Sequence, residues 1–249
     1  MLLQMNTNTP KGKLYLIPTV LHDDDIALKS LSPSVLEAAK DCQVFFVEDE
    51  RTARRFLKKI WKEIVIDDYI WHTIHKAEDG LINNLKKYLL EGKNAGILSE
   101  AGCPCIADPG QKLVAAAHAI HAKVIPFTGP SSILLALMAS GMNGQGFRFS
   151  GYLPIESTQR KNAIKDLETE SEKNNCTQIF IETPYRNNQL LNDILQVCNQ
   201  NTFLCVAMDI TSALEKIITK TITEWKKELP QLHKHTVVFL LYVSNEYHR

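Results

Sequence analysis

Short apolar runs separated by longer stretches of helical spacing set the rhythm of the first half of the chain. Residues 13–17 (KLYLI) predict a strand that stops at Pro18, and residues 43–47 (QVFFV) a strand apolar throughout, as one buried on both faces should be. Residues 94–98 and 123–127 predict two more. Between them lie helical segments. Ser32 as N-cap with Pro33 at the first helical position opens one. Residues 51–62 form a second, 78–91 a third closed by Gly92, and 111–121 a fourth. Residues 64–77 fit neither period. Strand and helix in alternation predict a mostly parallel sheet with helices on its faces.

The texture changes after Thr128-Gly129-Pro130. A small-residue helix over 131–140 leads to strands at 147–152, 177–181, 202–207, 216–222 and 236–243. Helices are predicted at 156–173, 184–198 and 224–229. Strands now follow one another directly, which predicts a mixed sheet. The fold class is therefore α/β in two domains: an N-terminal domain over residues 13–127 and a C-terminal domain over 128–249, after a flexible tail at 1–12. The length of 249 residues fits two domains.

Composition narrows the classes. Twenty-eight Lys and Arg balance twenty-eight Asp and Glu, which excludes a basic field over the whole molecule but leaves a local patch open. The six cysteines are scattered without CxxC spacing and read as reduced thiols of a cytoplasmic protein. The longest apolar run, 133–139, is far short of a membrane span, and the first residues lack the pattern of a signal peptide.

The stretch Ser99-Glu100-Ala101-Gly102-Cys103-Pro104-Cys105-Ile106-Ala107-Asp108-Pro109-Gly110 is long for a connection from strand to helix. It combines glycines that reach unusual backbone conformations with stiffening prolines, and a rigid loop of this kind can grip a small ligand through its peptide groups. An ordinary long connection is the plainer alternative. Neither GxGxxG nor GxxxxGK[ST] occurs, so a dinucleotide or nucleoside triphosphate is not expected. Phe127-Thr128-Gly129-Pro130-Ser131-Ser132 makes a firm turn at a helix start, which simple capping explains equally well.

Six motifs in order carry a family resemblance. SEAGCPCIADPG resembles the SDAGTPxISDPG segment of the tetrapyrrole methylase superfamily, and FTGPSS resembles its PGPSA. Val47 to Arg51 (VEDER) is similar to AEDTR, Phe149 to Pro154 to FxGFLP, Ile181 to Arg186 to YESPHR, and Leu14 to Thr19 to LYLVPT. Within that superfamily the ribosomal small-subunit RNA cytidine 2′-O-methyltransferase branch is the most similar. The family's first loop, PIGNLxDI, here reads Val20-Leu21-His22-Asp23-Asp24-Asp25-Ile26, without the Gly-Asn pair and with two extra carboxylates. Glu100 and Cys103 stand where the family has Asp and Thr.

The resemblance implies S-adenosylmethionine (SAM) in a cleft between two α/β domains, and a homodimer. Its cofactor contacts map onto Pro18, Ser99, Glu100, Ala101, Gly102, Pro104, Ile106, Ala107, Asp108, Thr128, Gly129, Pro130, Ser131, Ser132, Leu153 and Met208. It further implies methylation of a ribosomal RNA ribose, with ribosomal RNA or the small ribosomal subunit as partner. A tetrapyrrole or other small-molecule acceptor, and a SAM-binding module without turnover, are the alternatives.

A ribose hydroxyl needs a proton acceptor. Glu48, Asp49 and Glu100 follow predicted strands and are the candidates; capping a helix or pairing with Arg51 is the plainer role. Arg51, Arg54, Arg55, Lys58, Lys59 and Lys62 fall on one face of the predicted helix 51–62, opposite Ala53, Phe56, Leu57, Ile60 and Trp61, and form a candidate RNA phosphate track. The histidine pairs 72/75, 118/121 and 233/235 lack a ligand partner at the right spacing, so no metal is expected. Cys103-Pro104-Cys105 reads as small residues in a tight loop, because a CxC pair is awkward for a disulfide.

Overall fold

A computed structural model describes residues 10–74 and 79–244. Most of the segment expected as a tail, residues 1–9, lies outside them, as does His75. At its end, Gly12 is buried and donates its N–H to the Leu89 carbonyl at 2.8 Å.

The chain divides into two units, up to Pro130 and from Ser131. The first contains β1 (Leu14–Ile17), α1 (Ser34–Lys40), β2 (Val44–Val47), α2 (Glu50–Ile60), β3 (Ile70–Thr73), α3 (Asp79–Leu90), β4 (Ala95–Leu98), α4 (Gln111–Ala119) and β5 (Val124–Pro126). Its sheet runs β3-β2-β4-β1-β5, with every pairing parallel. The undecided stretch 64–77 supplies the edge strand β3, which pairs with β2.

Period-two alternation sorts the side chains. Tyr15, Ile17, Phe45, Val47 and Leu98 pack with α1 and α2 through Val35, Ala38, Ala39, Phe56 and Leu57. Leu14, Val44, Phe46, Ala95 and Ile97 pack with α3 and α4 through Leu85, Leu89, Leu113 and Ala117. The connection from β1 crosses to β2 on one side of the sheet order, and that from β4 crosses to β5 on the other. The neighbours β1 and β4 therefore form the point where the winding reverses, and the crevice outside their carboxyl ends is the usual ligand position of such sheets.

The second unit holds α5 (Ser132–Ser140), β6 (Phe147–Tyr152), α6 (Ser157–Asn174), β7 (Thr177–Ile181), α7 (Asn187–Val197), β8 (Phe203–Met208), β9 (Lys216–Thr221), α8 (Ile222–Trp225) and β10 (Val237–Tyr242). Its sheet runs β6-β7-β10-β8-β9 and is mixed: β6 and β7 are parallel, the other pairings antiparallel. α6 and α7 cover one face with Ile164, Leu167, Leu190, Leu191 and Ile194 against Phe180, Leu204, Val206 and Phe239. α5 packs on β8, β9 and β10.

Several boundaries differ from the sequence expectation: the helix expected at 224–229 is Ile222–Trp225, and the one expected to open at Pro33 after a Ser32 cap starts at Ser34 with Pro33 as its N-cap. The helix expected at 51–62 stops at Ile60, because Trp61 turns to extended backbone (φ −142°, ψ 91°), so Lys62 lies beyond the helical face. The helix expected at 111–121 stops at Ala119, and His121 sits in left-handed backbone (φ 55°), so His118 and His121 do not share a helix face. The helix expected from 184 starts at Asn187, because residues 182–186 close a turn in which the Arg186 N–H donates to the Thr183 carbonyl.

Candidate functional site

Three loops meet at the carboxyl ends of β1, β4 and β5. The Thr19 N–H donates to the Gly102 carbonyl at 2.9 Å, Thr19 Oγ1 to the Ser99 carbonyl at 3.3 Å, and Ser99 Oγ to the Gly102 carbonyl at 3.0 Å. A Cβ at Gly102 (φ 78°) would stand 2.9 Å from the Pro130 oxygen and from Leu21 Cδ2. One at Gly129 would stand 2.1 Å from Pro18 Cβ. Both positions thus demand glycine, one for backbone conformation and both for close approach. Cys103 Sγ is 3.6 and 3.5 Å from the carbonyls of Gly129 and Pro130, and burial raises its pKa. A thiol with that role needs no disulfide, and Cys105 forms none either.

The structure thereby brings together Pro18, Ser99, Gly102, Gly129 and Pro130 from the sequence-derived contact set, with Thr128 exposed just before Gly129. Gly102, Cys105 (φ 69°), Ala107 (φ 64°) and Gly110 (φ 121°) all lie at positive φ. Along residues 100–108, Glu100, Ala101, Ile106 and Ala107 are exposed, Asp108 is half-buried and Pro104 is buried. Such a rim fits a cofactor gripped by main-chain groups. Of the remaining set, Ser131 is the N-cap and Ser132 the first residue of α5 in the second unit. Leu153 is buried in that unit's core, and Met208 is packed against it.

A carboxylate cluster stands beside this rim. Glu48 follows β2, and Glu100 and Asp108 belong to the loop after β4. Burial, then the charge of Asp108, push the Glu48 carboxyl up to about 7, while the Glu100 backbone N–H opposes the rise. Burial, then the charge of Glu100, raise Asp108 to about 6. Glu48 Oε1 is buried with no hydrogen-bond partner among the described residues. Asp49, the third sequence candidate, is engaged otherwise: its Oδ1 accepts the Thr52 N–H at 2.7 Å as the N-cap of α2, and its pKa is lowered mainly by that bond. Asp108 was expected from the sequence as a cofactor contact and not as a partner of Glu48, because its closeness to Glu48 depends on the pairing of β2 with β4.

The basic face of α2 is partly satisfied from within. Arg54 pairs with Glu50 at 2.8 Å and lies over the Trp71 ring, 5.1 Å from its centre. Arg55 and Lys59 both hold Asp23. Lys58 Nζ donates to the Ile64 carbonyl. Arg51 and Lys62 are exposed. Sequence reading missed these partners because Asp23 and Ile64 lie outside the helix that they touch.

The histidines are engaged singly. His72 stacks on Phe46 with ring centres 5.0 Å apart, and burial lowers its pKa. His235 Nδ1 is 2.5 Å from Asp209 Oδ2. Among the described residues no group of three or more His, Cys, Asp or Glu is placed to hold a metal ion.

Comparison with known proteins follows the same lines. The family model described as Tetrapyrrole (Corrin/Porphyrin) Methylases matches residues 27–226. Proteins named "Ribosomal RNA small subunit methyltransferase I" are similar along most of their length. That of Buchnera aphidicola subsp. Schizaphis graminum is 28% identical over 95% of this chain and 80% of the relative. That of Xylella fastidiosa is 30% identical over 86% and 74%, and that of Escherichia coli O157:H7 27% identical over 95% and 79%. Among solved structures, a diphthine synthase superposes with a TM-score of 0.64 at 13% identity, covering 92% of this chain and 89% of its own. Uroporphyrin-III-C-methyltransferase from Thermus thermophilus superposes with a TM-score of 0.53 at 14% identity, covering 93% and 92%. These two likenesses bear on the fold alone.

Proposed function

The chain belongs to the Tetrapyrrole (Corrin/Porphyrin) Methylases family and is a SAM-dependent methyltransferase, and from that premise we propose that its acceptor is a ribose 2′-hydroxyl of small-subunit ribosomal RNA. The observation that carries the reading is the Glu48 carboxyl, shifted to about 7 beside the main-chain rim of residues 99–108. The similarity to ribosomal RNA methyltransferases along most of the chain supports the choice of acceptor.

SAM when bound supplies a methyl group already activated by the positive charge on sulfur. The rest falls to the protein. Peptide groups of the 99–108 rim and of the 128–130 turn hold and orient the donor, and the tight junction at Gly102, Gly129 and Pro18 keeps water out of that corner. The negative field of Glu48, Glu100 and Asp108 favours a cationic donor. Glu48 Oε1, buried without a partner, accepts the proton that the ribose hydroxyl gives up, and a pKa near the working pH suits a general base. Burial, and after it the charge of Asp108, hold that pKa up.

The reading extends to a cytoplasmic homodimer. α5 covers the second sheet with one side and leaves Leu134 and Met138 exposed on the other, 49% and 79% accessible, which suits burial against a second copy. Among the described residues no helix is long and apolar enough to cross a membrane.

The test offers radiolabelled SAM with small ribosomal subunits, with their free RNA and with a tetrapyrrole. The expected result is label in RNA, in an alkali-resistant dinucleotide as a 2′-O-methyl requires. Label in the tetrapyrrole alone would reassign the acceptor. Calorimetric binding of SAM without transfer to any acceptor would leave a binding module.

A further inference from the structure

The loop after β1 places a carboxylate on the basic helix. Asp24 Oδ1 accepts the Ala27 N–H at 2.7 Å and fixes the short turn at Ala27–Ser30. The residue before it, Asp23, reaches α2: its Oδ2 is 3.0 Å from Arg55 Nη2, and its Oδ1 accepts from Lys59 Nζ. Arg55 and Lys59 are one helical turn apart, so both cationic ends converge on one anionic group. These three side chains line a cavity of about 210 Å³ together with Thr52, Ser99 and Glu100.

Two features make this more than a surface ion pair. The cavity runs from the paired cations to Glu100, a member of the carboxylate cluster beside the donor rim. The carboxylate is also easily displaced: the side chains of Asp23 and Arg55 are 50% and 53% exposed, and exposed pairs hold weakly. An Arg and a Lys converging on one anion match a phosphodiester as well as a carboxylate.

We propose that this cavity is a backbone subsite for RNA, in which a phosphodiester displaces the Asp23 carboxylate from Arg55 and Lys59. Asp23 is an internal stand-in for phosphate and sets the threshold for strand entry. The inference rests on the RNA reading given above. It adds which cations take a phosphate and what competes for them.

Asp23→Asn keeps the size and removes the charge; Asp23→Ser is a second neutral variant. Binding of a single-stranded RNA oligonucleotide to the full chain is measured at several salt concentrations. Removing the competitor tightens binding roughly three- to tenfold at low salt and steepens the slope of log K against log salt by about one. In an Arg55→Ala/Lys59→Ala background the same change has no effect. Unchanged or weaker RNA binding in both neutral variants overturns the proposal. So does an equal gain without Arg55 and Lys59, which would mean a long-range charge effect. Inorganic phosphate is a separate probe: saturating the neutral variant with phosphate while RNA gains nothing would reassign the cavity to a free anion and overturn the strand subsite. SAM affinity is read in parallel by calorimetry; its absence from the unaltered protein would sink the methyltransfer reading while the RNA comparison stands by itself.

Discussion

Glu48 concentrates the residue-scale chemistry, and its titration has two consequences of opposite sense. As a base it must be ionised, so methyl transfer rises with pH through about 7 and then levels off. For stability the sign reverses. The folded state holds the Glu48 proton more tightly than the unfolded chain, so its contribution is fully present below the ordinary carboxylate range and is lost as pH rises through about 7. Glu48→Gln should therefore lower transfer by roughly a hundredfold or more while raising the melting temperature at pH 8 relative to pH 5. A variant that keeps a rate within threefold of the original would remove Glu48 as the base. Gly102 gives a second test at this scale. Its φ of 78° and its 2.9 Å approach to the Pro130 oxygen mean that Gly102→Ala costs at least about 1–2 kcal/mol of stability. It should also weaken SAM binding, which calorimetry would show; unchanged affinity would mean that the rim does not hold the donor.

Among the elements, α6 and α7 share a buried polar joint. Arg160, 1% exposed, donates through Nε and Nη2 to Asp193 Oδ2 and through Nη1 to the carbonyls of Pro154 and Ile155. One guanidinium thus ties two helices to the segment that leads from β6 into α6. Removing the guanidinium leaves the buried Asp193 carboxylate with Lys161, 3.6 Å from its Oδ1, so Arg160→Met should cost about 3 kcal/mol in denaturant unfolding, and Arg160→Met/Asp193→Leu should recover most of it. A single variant as damaging as the double one would show that the joint acts through packing instead. Glu168 makes a similar buried joint, accepting from Thr202 Oγ1 and from the N–H and side-chain amide of Asn199.

At the scale of the whole molecule, equal numbers of acidic and basic residues leave no general attraction to RNA. Affinity for a polyanion then depends on the local face of α2 and falls steeply with salt. The exposed side of α5 makes the dimer testable: Leu134→Glu/Met138→Glu should shift the sedimenting species from dimer to monomer without unfolding it. A dimer that survives this change would place its interface elsewhere.

Much of the fold was legible because it depends on local periodicity. The apolar runs at Val44–Val47 and Ala95–Leu98 alternate their side chains between two buried faces, and backbone geometry alone imposes that spacing. Glycines and prolines marked the loop at 99–110 for the same reason: they restrict or free the chain where they stand. Helix ends were less legible, since Ile60 and Ala119 end their helices where the following residues leave helical backbone. The chemical constellation was hidden. Glu48 meets Glu100 and Asp108 only because β2 lies beside β4, and Asp23 meets Arg55 and Lys59 only because the loop after β1 folds onto α2. The chain by itself therefore determined most of its elements and the α/β class of its two sheets. Tertiary structure alone decided which charges face one another and how far burial moves a proton, because Coulomb and desolvation energies depend on distances in space that no spacing along a sequence contains.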